Sequence, residues 1–450
     1  MTRHRHRLQA VAAFACLVAL VGACGSDDSG SGNDTTAAPA TTAAGGAATT
    51  TGDSSATTAA GGAATTTGGG SSSGEVRGVT DTEIKIGGLG EATTYVGVED
   101  GARARFERAN REGGINGRTI DYVGFRDDGK DPGLDLDQTR KLIDDDGVFA
   151  VAPVITQFFL PQSSDLLAQN QVPFVGWGFM PGFCGNEFGY GFNGCLIGTD
   201  YVNSALVDPV LNAVGKPMAD IRVAIQSGDD ITGKSGSAQY ESVIKARGAQ
   251  VVYSEQNIPT DTQTTDYSPF VQEIIKSKPD VVYSSTRFSD VIGLTAALRQ
   301  ANYDGPVVNF VTYVPGLLEA QPDLAAALQG VWVNTQIPPS ESNSPAVKQV
   351  AEDLTAIGKD PFVTLGASVG YWSADVLVQQ LTAAGKDLTP ETFQAAMQNF
   401  TYTPLEGGIG PVSYPKDQTA PTPCSALVEV KDKAYVVLEP MQCYEAIPAS

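Results

Sequence analysis

The chain has 450 residues, enough for two or three domains rather than one. Lys and Arg number 29 against 51 Asp and Glu, a formal charge of −22, which repels phosphate backbones and anionic lipid faces and argues against a nucleic-acid partner. The two histidines are His4 and His6, in a segment that reads as removed, so the processed chain has no imidazole for acid–base catalysis or HExxH zinc binding.

Residues 1–24 run MTRHRHRLQAVAAFACLVALVGAC. A basic start precedes an apolar run, Leu8 to Val21, that is too short to span a bilayer. This is the layout of a secretory signal peptide, placed over 1–23. Its ending, Val21-Gly22-Ala23-Cys24, resembles a bacterial lipobox. The resemblance implies cleavage before Cys24 and a diacylglyceryl thioether on its sulfur. After Cys24, all but six of residues 25–74 are Gly, Ser, Thr or Ala, with TTAAGGAATTTG at 41–52 and again at 57–68. Such a segment cannot bury enough surface to offset its chain entropy and predicts a disordered tether. As a flexible coil it would reach about 40 Å.

The body starts near Glu75. Strand-like and helix-like segments alternate: a strand at Ile84–Leu89, a helix at Gly97–Glu112, a strand at Ile120–Phe125, a helix at Pro132–Asp144. Val148–Val154 has no polar face, as a buried parallel strand requires. A helix at Phe158–Asn170 and a strand at Val172–Val175 follow. The rhythm predicts a parallel sheet with right-handed crossovers. It restarts with strands at Arg222–Gln226, Gln250–Ser254, Val281–Ser284 and Val307–Val311. Helices at Gly236–Ala246, Phe270–Lys276 and Val291–Gln300 lie between them. Val331–Thr335 reads as an extended crossing. Helices at Phe362–Ala384 and Pro390–Asn399 precede a closing pair of strands, Ala426–Val430 and Tyr435–Leu438. The expectation is an α/β protein with two Rossmann-like units.

Four cysteines remain in the body. In an exported protein they suggest two bridges. Three pairings are possible, and proximity in the chain favours Cys184 with Cys195 and Cys424 with Cys443. No cluster has the spacing of a metal site, and no cofactor is expected.

Gly228 to Ser235 reads GDDITGKS and matches the phosphate-loop pattern GxxxxGKS. Asp229 and Asp230 would sit against the phosphates they should attract, and no partner strand ending in Asp is evident. The stretch reads better as a Gly-rich turn at a strand's carboxyl end.

Gly97 to Pro132 reads GVEDGARARFERANREGGINGRTIDYVGFRDDGKDP. This stretch resembles the N-terminal signature of the branched-chain amino-acid (Leu/Ile/Val) class of periplasmic binding proteins: a helix ending in GGINGR before a strand closing on D-D-x-x-D-P. QVPFVGWG at 171–178, DVVYSS at 280–285, LRQANYDGP at 298–306 and GYWSADVL at 370–377 agree more loosely. The resemblance implies two α/β lobes joined by three crossings, near Gly198–Asn203, Val331–Gln336 and Gly408–Tyr414. Lobe one would be 75–200 with 335–410, and lobe two 201–334 with 411–450. It implies a monomeric solute-binding lipoprotein that serves an ABC permease and touches the membrane only through its anchor.

Ligands of open α/β sheets sit beyond the carboxyl ends of the strands. That rule selects Tyr95, Thr156, Gln157, Trp177 and Gly178 in lobe one, and Thr232, Arg287 and Tyr313 in lobe two. The aromatic ones suit walls, and the hydroxyls and amide can orient a ligand. In the family, hydroxyls and backbone N–H groups after the third and fourth strands hold an amino-acid carboxylate, and an acid in lobe two meets the ammonium. Here the corresponding residues are Thr156-Gln157-Phe158-Phe159 and Tyr313. The expected solute is therefore a small polar or aromatic one: amino-acid-like, an amide or a small acid. A surface sensor with the same pocket is the alternative reading. A hydrolase using paired carboxylates such as Asp127-Asp128, Asp144–Asp146 or Asp229-Asp230 is a third.

Overall fold

A computed structural model describes residues 75–197 and 201–448. The signal peptide, Cys24, the tether and Gly198–Asp200 of the first expected crossing lie outside the described residues.

The first five strands are β1 (Glu83–Gly90), β2 (Thr119–Asp127), β3 (Ala150–Ile155), β4 (Phe174–Gly176) and β5 (Gly189–Gly191). They form one sheet in the order β2-β1-β3-β4-β5, with every pairing parallel. All six residues of β3 are buried, because helices cover both faces. On one face Val98, Phe106 and Ala109 of the helix Val98–Arg111 share a core with Tyr371, Trp372 and Leu377 of the helix Leu365–Ala384. On the other, Leu142 and Leu167 of Pro132–Asp144 and Pro161–Gln169 pack with Phe159, Phe174 and Phe183. The helix expected from Phe158 begins only at Pro161, a residue suited to a first helical position. β5 was not read from the sequence, since Gly-Tyr-Gly carries no β-branched residue.

Lobe two uses β7 (Arg222–Gly228), β8 (Gln250–Ile258), β9 (Val281–Ser285), β10 (Val307–Asn309) and β11 (Val331–Thr335), with β14 (Cys424–Lys431) and β15 (Ala434–Cys443). The order is β15-β14-β11-β10-β9-β7-β8. β7 to β11 run parallel, and the terminal hairpin adds antiparallel to β11. The extended crossing expected at Val331–Thr335 is instead an interior strand, with Val331 and Val333 fully buried between β10 and β14. The chain leaves this sheet only after Thr335.

Of the short strands, β6 (Tyr201–Val202) pairs with β16 (Ile447–Pro448), and β12 (Phe400–Tyr402) with β13 (Val412–Tyr414). Val412 and Tyr414 belong to the core of lobe one. The third crossing therefore falls at Thr422–Cys424 and not at Gly408–Tyr414. The two disulfides are Cys184–Cys195 and Cys424–Cys443. Each has one cysteine beside a crossing. Among the described residues no helix is long and apolar enough to cross a membrane.

Candidate functional site

β11 runs to its carboxyl end and passes straight into lobe one, so the carboxyl edge of the lobe-two sheet is turned toward lobe one. The second and third crossings both adjoin the loop after β5 that leads toward the first. Asn193 O accepts from Thr422 N at 2.9 Å, and Gly194 bridges to Pro421. Gln336, the first residue after β11, accepts from Asn193 Nδ2 at 3.0 Å and from the indole N–H of Trp177 at 3.2 Å. This band ties the end of β4 to two of the crossings. Among the described residues no ion pair joins the lobes.

In lobe one, the expected residues divide. Trp177 is half-buried, stacked on Phe192 and edge-on to Phe179. Gln157 is exposed, and its backbone N–H donates to Glu91 Oε1 at 3.0 Å. Thr156 is buried and accepts from Phe158 N at 2.9 Å. Tyr95 is a core residue, 8% exposed, whose phenol burial holds well above its ordinary pKa. Gly178 is structural: its N–H donates to Asn193 Oδ1 at 3.0 Å, and a Cβ there would fall 1.9 Å from Gly194 O.

Behind this edge sit carboxyls, of which Glu91 is absent from the sequence reading and the others enter it only as the acid pairs of the hydrolase alternative. Glu91 and Asp128 are buried at the ends of β1 and β2. Asp128 is pushed above the usual carboxylate range by burial, and nearby Glu91 adds to the shift. Asp127 Oδ1 accepts from Ala92 N and Gly129 N at 3.2 and 3.1 Å. In lobe two, Asp230 caps its helix, while Asp229 accepts from Thr260 N and Oγ1 at 2.9 and 2.6 Å. These two acid pairs are thus engaged as turn and helix caps, and in the third pair Asp146 meets Arg126 at 2.7 Å.

In lobe two, Thr232 is exposed in the first turn of the helix Ile231–Ala246. Arg287 is committed elsewhere. Its Nε donates to Asp290 at 2.8 Å, and its other nitrogens donate to the carbonyls of Pro259, Thr260 and Thr262 at 3.0 Å. Tyr313 is buried against Tyr435, donates to Glu341 Oε2 at 2.7 Å and accepts from Ser340 N at 2.8 Å. It is a contact between the lobe-two edge and the segment after the second crossing. The most exposed aromatic at this edge is Phe310, 43% exposed, immediately after β10. An aromatic directly after an apolar strand was the available signal, hidden because the strand was drawn through it to Val311.

The GxxxxGKS match does not form a phosphate cradle. Asp230 Oδ1 already accepts from Gly233 N at 2.7 Å. The glycines serve packing: a Cβ on Gly233 would lie 2.3 Å from Gly228 O, and one on Gly236 would lie 2.6 Å from Ser285 Oγ.

The profile of the periplasmic binding protein family matches residues 83–434. Among curated proteins none matches the chain. Solved structures share the fold. A fatty acid ABC transporter substrate-binding protein from Thermomonospora curvata is 20% identical, covers 83% of this chain and 95% of its own, and gives a TM-score of 0.62. A Rhodopseudomonas palustris (R. palustris) solute-binding protein in complex with 4-hydroxybenzoate is 19% identical over 82% and 98%, with a TM-score of 0.60. A Desulfitobacterium hafniense substrate-binding protein in complex with Leu is 15% identical over 79% and 100%, with a TM-score of 0.62. Two mostly parallel sheets and a family match over most of the chain lead to one assignment: this chain belongs to the periplasmic binding protein family.

Proposed function

We propose that the protein is the solute-capturing subunit of an ABC importer, held outside the cytoplasm by a lipid on Cys24. It takes a small polar or aromatic solute between its lobes, closes about the three crossings and presents the closed form to a permease. The observation that carries this reading is the pair of facing strand ends flanking a hydrogen-bonded band at Gln336. A ligand touching both edges favours the closed form by its differential affinity for it. The relatives in complex with 4-hydroxybenzoate and Leu support a solute of this size. Trp177, Thr156 and Phe310 are the proposed wall residues, with Gln157 and Thr232 at the rim. Tyr95, Gly178, Arg287 and Tyr313 act through the frame.

A thermal-shift screen of the full-length protein against amino acids, amides, aromatic acids and sugars tests the reading. A specific solute should raise the melting temperature in a concentration-dependent way. A panel without any such rise overturns it. The anchor has its own test. Detergent partitioning should place the wild type in the detergent phase and Cys24→Ala outside it; identical aqueous partitioning of both removes the anchor from the proposal.

A further inference from the structure

The carboxyl edge of lobe two is rich in buried uncharged polar groups. Ser284 and Thr286 bond each other at 2.8 Å at the end of β9. Next to them, β10 ends in Asn309, 2% exposed, followed by Thr312, 0% exposed. Asn309 Oδ1 accepts from Val311 N and Thr312 N at 3.0 and 2.9 Å, which fixes the amide's orientation and closes the turn. The Thr312 carbonyl accepts from Tyr435. Two atoms of this turn have no partner in the protein: Asn309 Nδ2 and Thr312 Oγ1. A buried donor left unmade is costly, and native structures rarely keep two together without a use.

We infer that Asn309 Nδ2 and Thr312 Oγ1 are the lobe-two recognition pair for the solute's head, and that this head is an uncharged oxygen acceptor, a carbonyl or a hydroxyl. The assignment rests on the solute-binding reading above. Three observations set the chemistry. The pair offers N–H and O–H donors and no positive charge. The cation at the neighbouring strand end, Arg287, is held by Asp290 and three carbonyls. Tyr313, the next residue, donates to Glu341, so a carboxylate head would enter beside an acid without a counter-ion. The half-exposed Phe310, between the two residues, supplies an apolar wall for the solute's body.

Calorimetry on the full-length protein tests this with matched probes: benzamide against benzoate, isovaleramide against isovalerate, and benzyl alcohol. The wild type should prefer the neutral member of a pair by tenfold or more. Thr312→Val should weaken that binding roughly fivefold to tenfold, the worth of one neutral hydrogen bond. Its unliganded melting temperature should hold or rise, because a hydroxyl without a protein partner is removed. Asn309→Asp keeps an oxygen for the two backbone N–H groups but replaces the donor, and should lose more than tenfold. Preference for the carboxylate member, or wild-type affinity in both variants, overturns the assignment and leaves the solute-binding reading standing. If no probe binds the wild type, while the broader screen also finds no solute, both fall together.

Discussion

Asp135 has no exposed surface, accepts from Ser163 Oγ, and leaves Oδ2 without a partner. Burial pushes its pKa up to about 7, against the Ser163 bond that lowers it, and Asp128 adds to the rise. A carboxyl whose folded pKa exceeds its unfolded one binds its proton more tightly when folded. Its contribution is fully present below about pH 4, declines as pH rises toward 7, and is gone above that. Asp135 alone should thus lower stability between pH 5 and 8, by roughly 3 kcal/mol at most. Urea midpoints for the wild type should fall over this range, and Asp135→Asn should flatten the curve; parallel curves would mean that Asp135 is ionised without penalty. The buried pair Arg105–Asp375, at 2.5 Å with Tyr402 also donating to Asp375 at 2.6 Å, behaves differently. Arg105→Met strands a carboxylate and should cost about 3–5 kcal/mol, read as a large drop in melting temperature. None of these partners could be named from the sequence, because residues 105 and 375 meet only when their two helices pack.

The helix Ile231–Ala246 shows what the sequence carries at the scale of an element and what it omits. The pattern GDDITGKS announced a strand, a turn and a helix in the right order, and that order is present. Its chemistry was ambiguous because glycines that admit a phosphate also admit a neighbouring backbone. Contacts settle it: Gly233 lies against the Gly228 carbonyl. Gly233→Ala should lower the melting temperature by several degrees, whereas Lys234→Ala, exposed in the first turn, should leave melting and solute affinity unchanged. Micromolar ATP binding lost in Lys234→Ala would reverse the assignment. Other elements were legible for the same reason that they are stable. Pro132–Asp144 was bounded correctly since Asp131 caps it and Pro132 occupies its first position. β11 was misplaced because a strand buried on both faces reads like any short apolar run, and only its neighbours β10 and β14 show that it is interior. The helix Pro345–Ala356 was missed although Ser344 caps it and Pro345 opens it. The paired cysteines were readable from their spacing, while Gln336 and Asn309 became visible only once the strand ends faced each other.

At the scale of the molecule, the second and third crossings and the loop after β5 act as one band. Thr422 is bonded to Asn193, Asn193 to Gln336, and Gln336 to Trp177. The loop after β12 is seated on the same band: a Cβ on Gly410 would fall 2.0 Å from Cys424 Sγ, at the head of the terminal hairpin. Rotation of lobe two about this band must change the surroundings of Gln336, and the Trp177 indole is attached there. The other body tryptophans are placed to be quiet. Trp372 is 2% exposed and donates to Ser368 at 3.1 Å within its own helix. Trp332 lies on β11, paired with Val308 and Glu429 inside the lobe-two sheet. A solute that closes the lobes should therefore change the fluorescence chiefly through Trp177. Trp177→Ala is a poor probe, because the ring also packs on Phe179 and Phe192 and its loss would cost stability. Trp177→Phe keeps an aromatic in place and removes only the indole and its bond to Gln336. In that variant the solute-induced fluorescence change should fall by more than half, while calorimetry still detects binding, weakened about tenfold or less, the range of one neutral hydrogen bond. An undiminished signal in Trp177→Phe would place the moving contacts elsewhere and would mean that the band at Gln336 stays fixed when the solute binds.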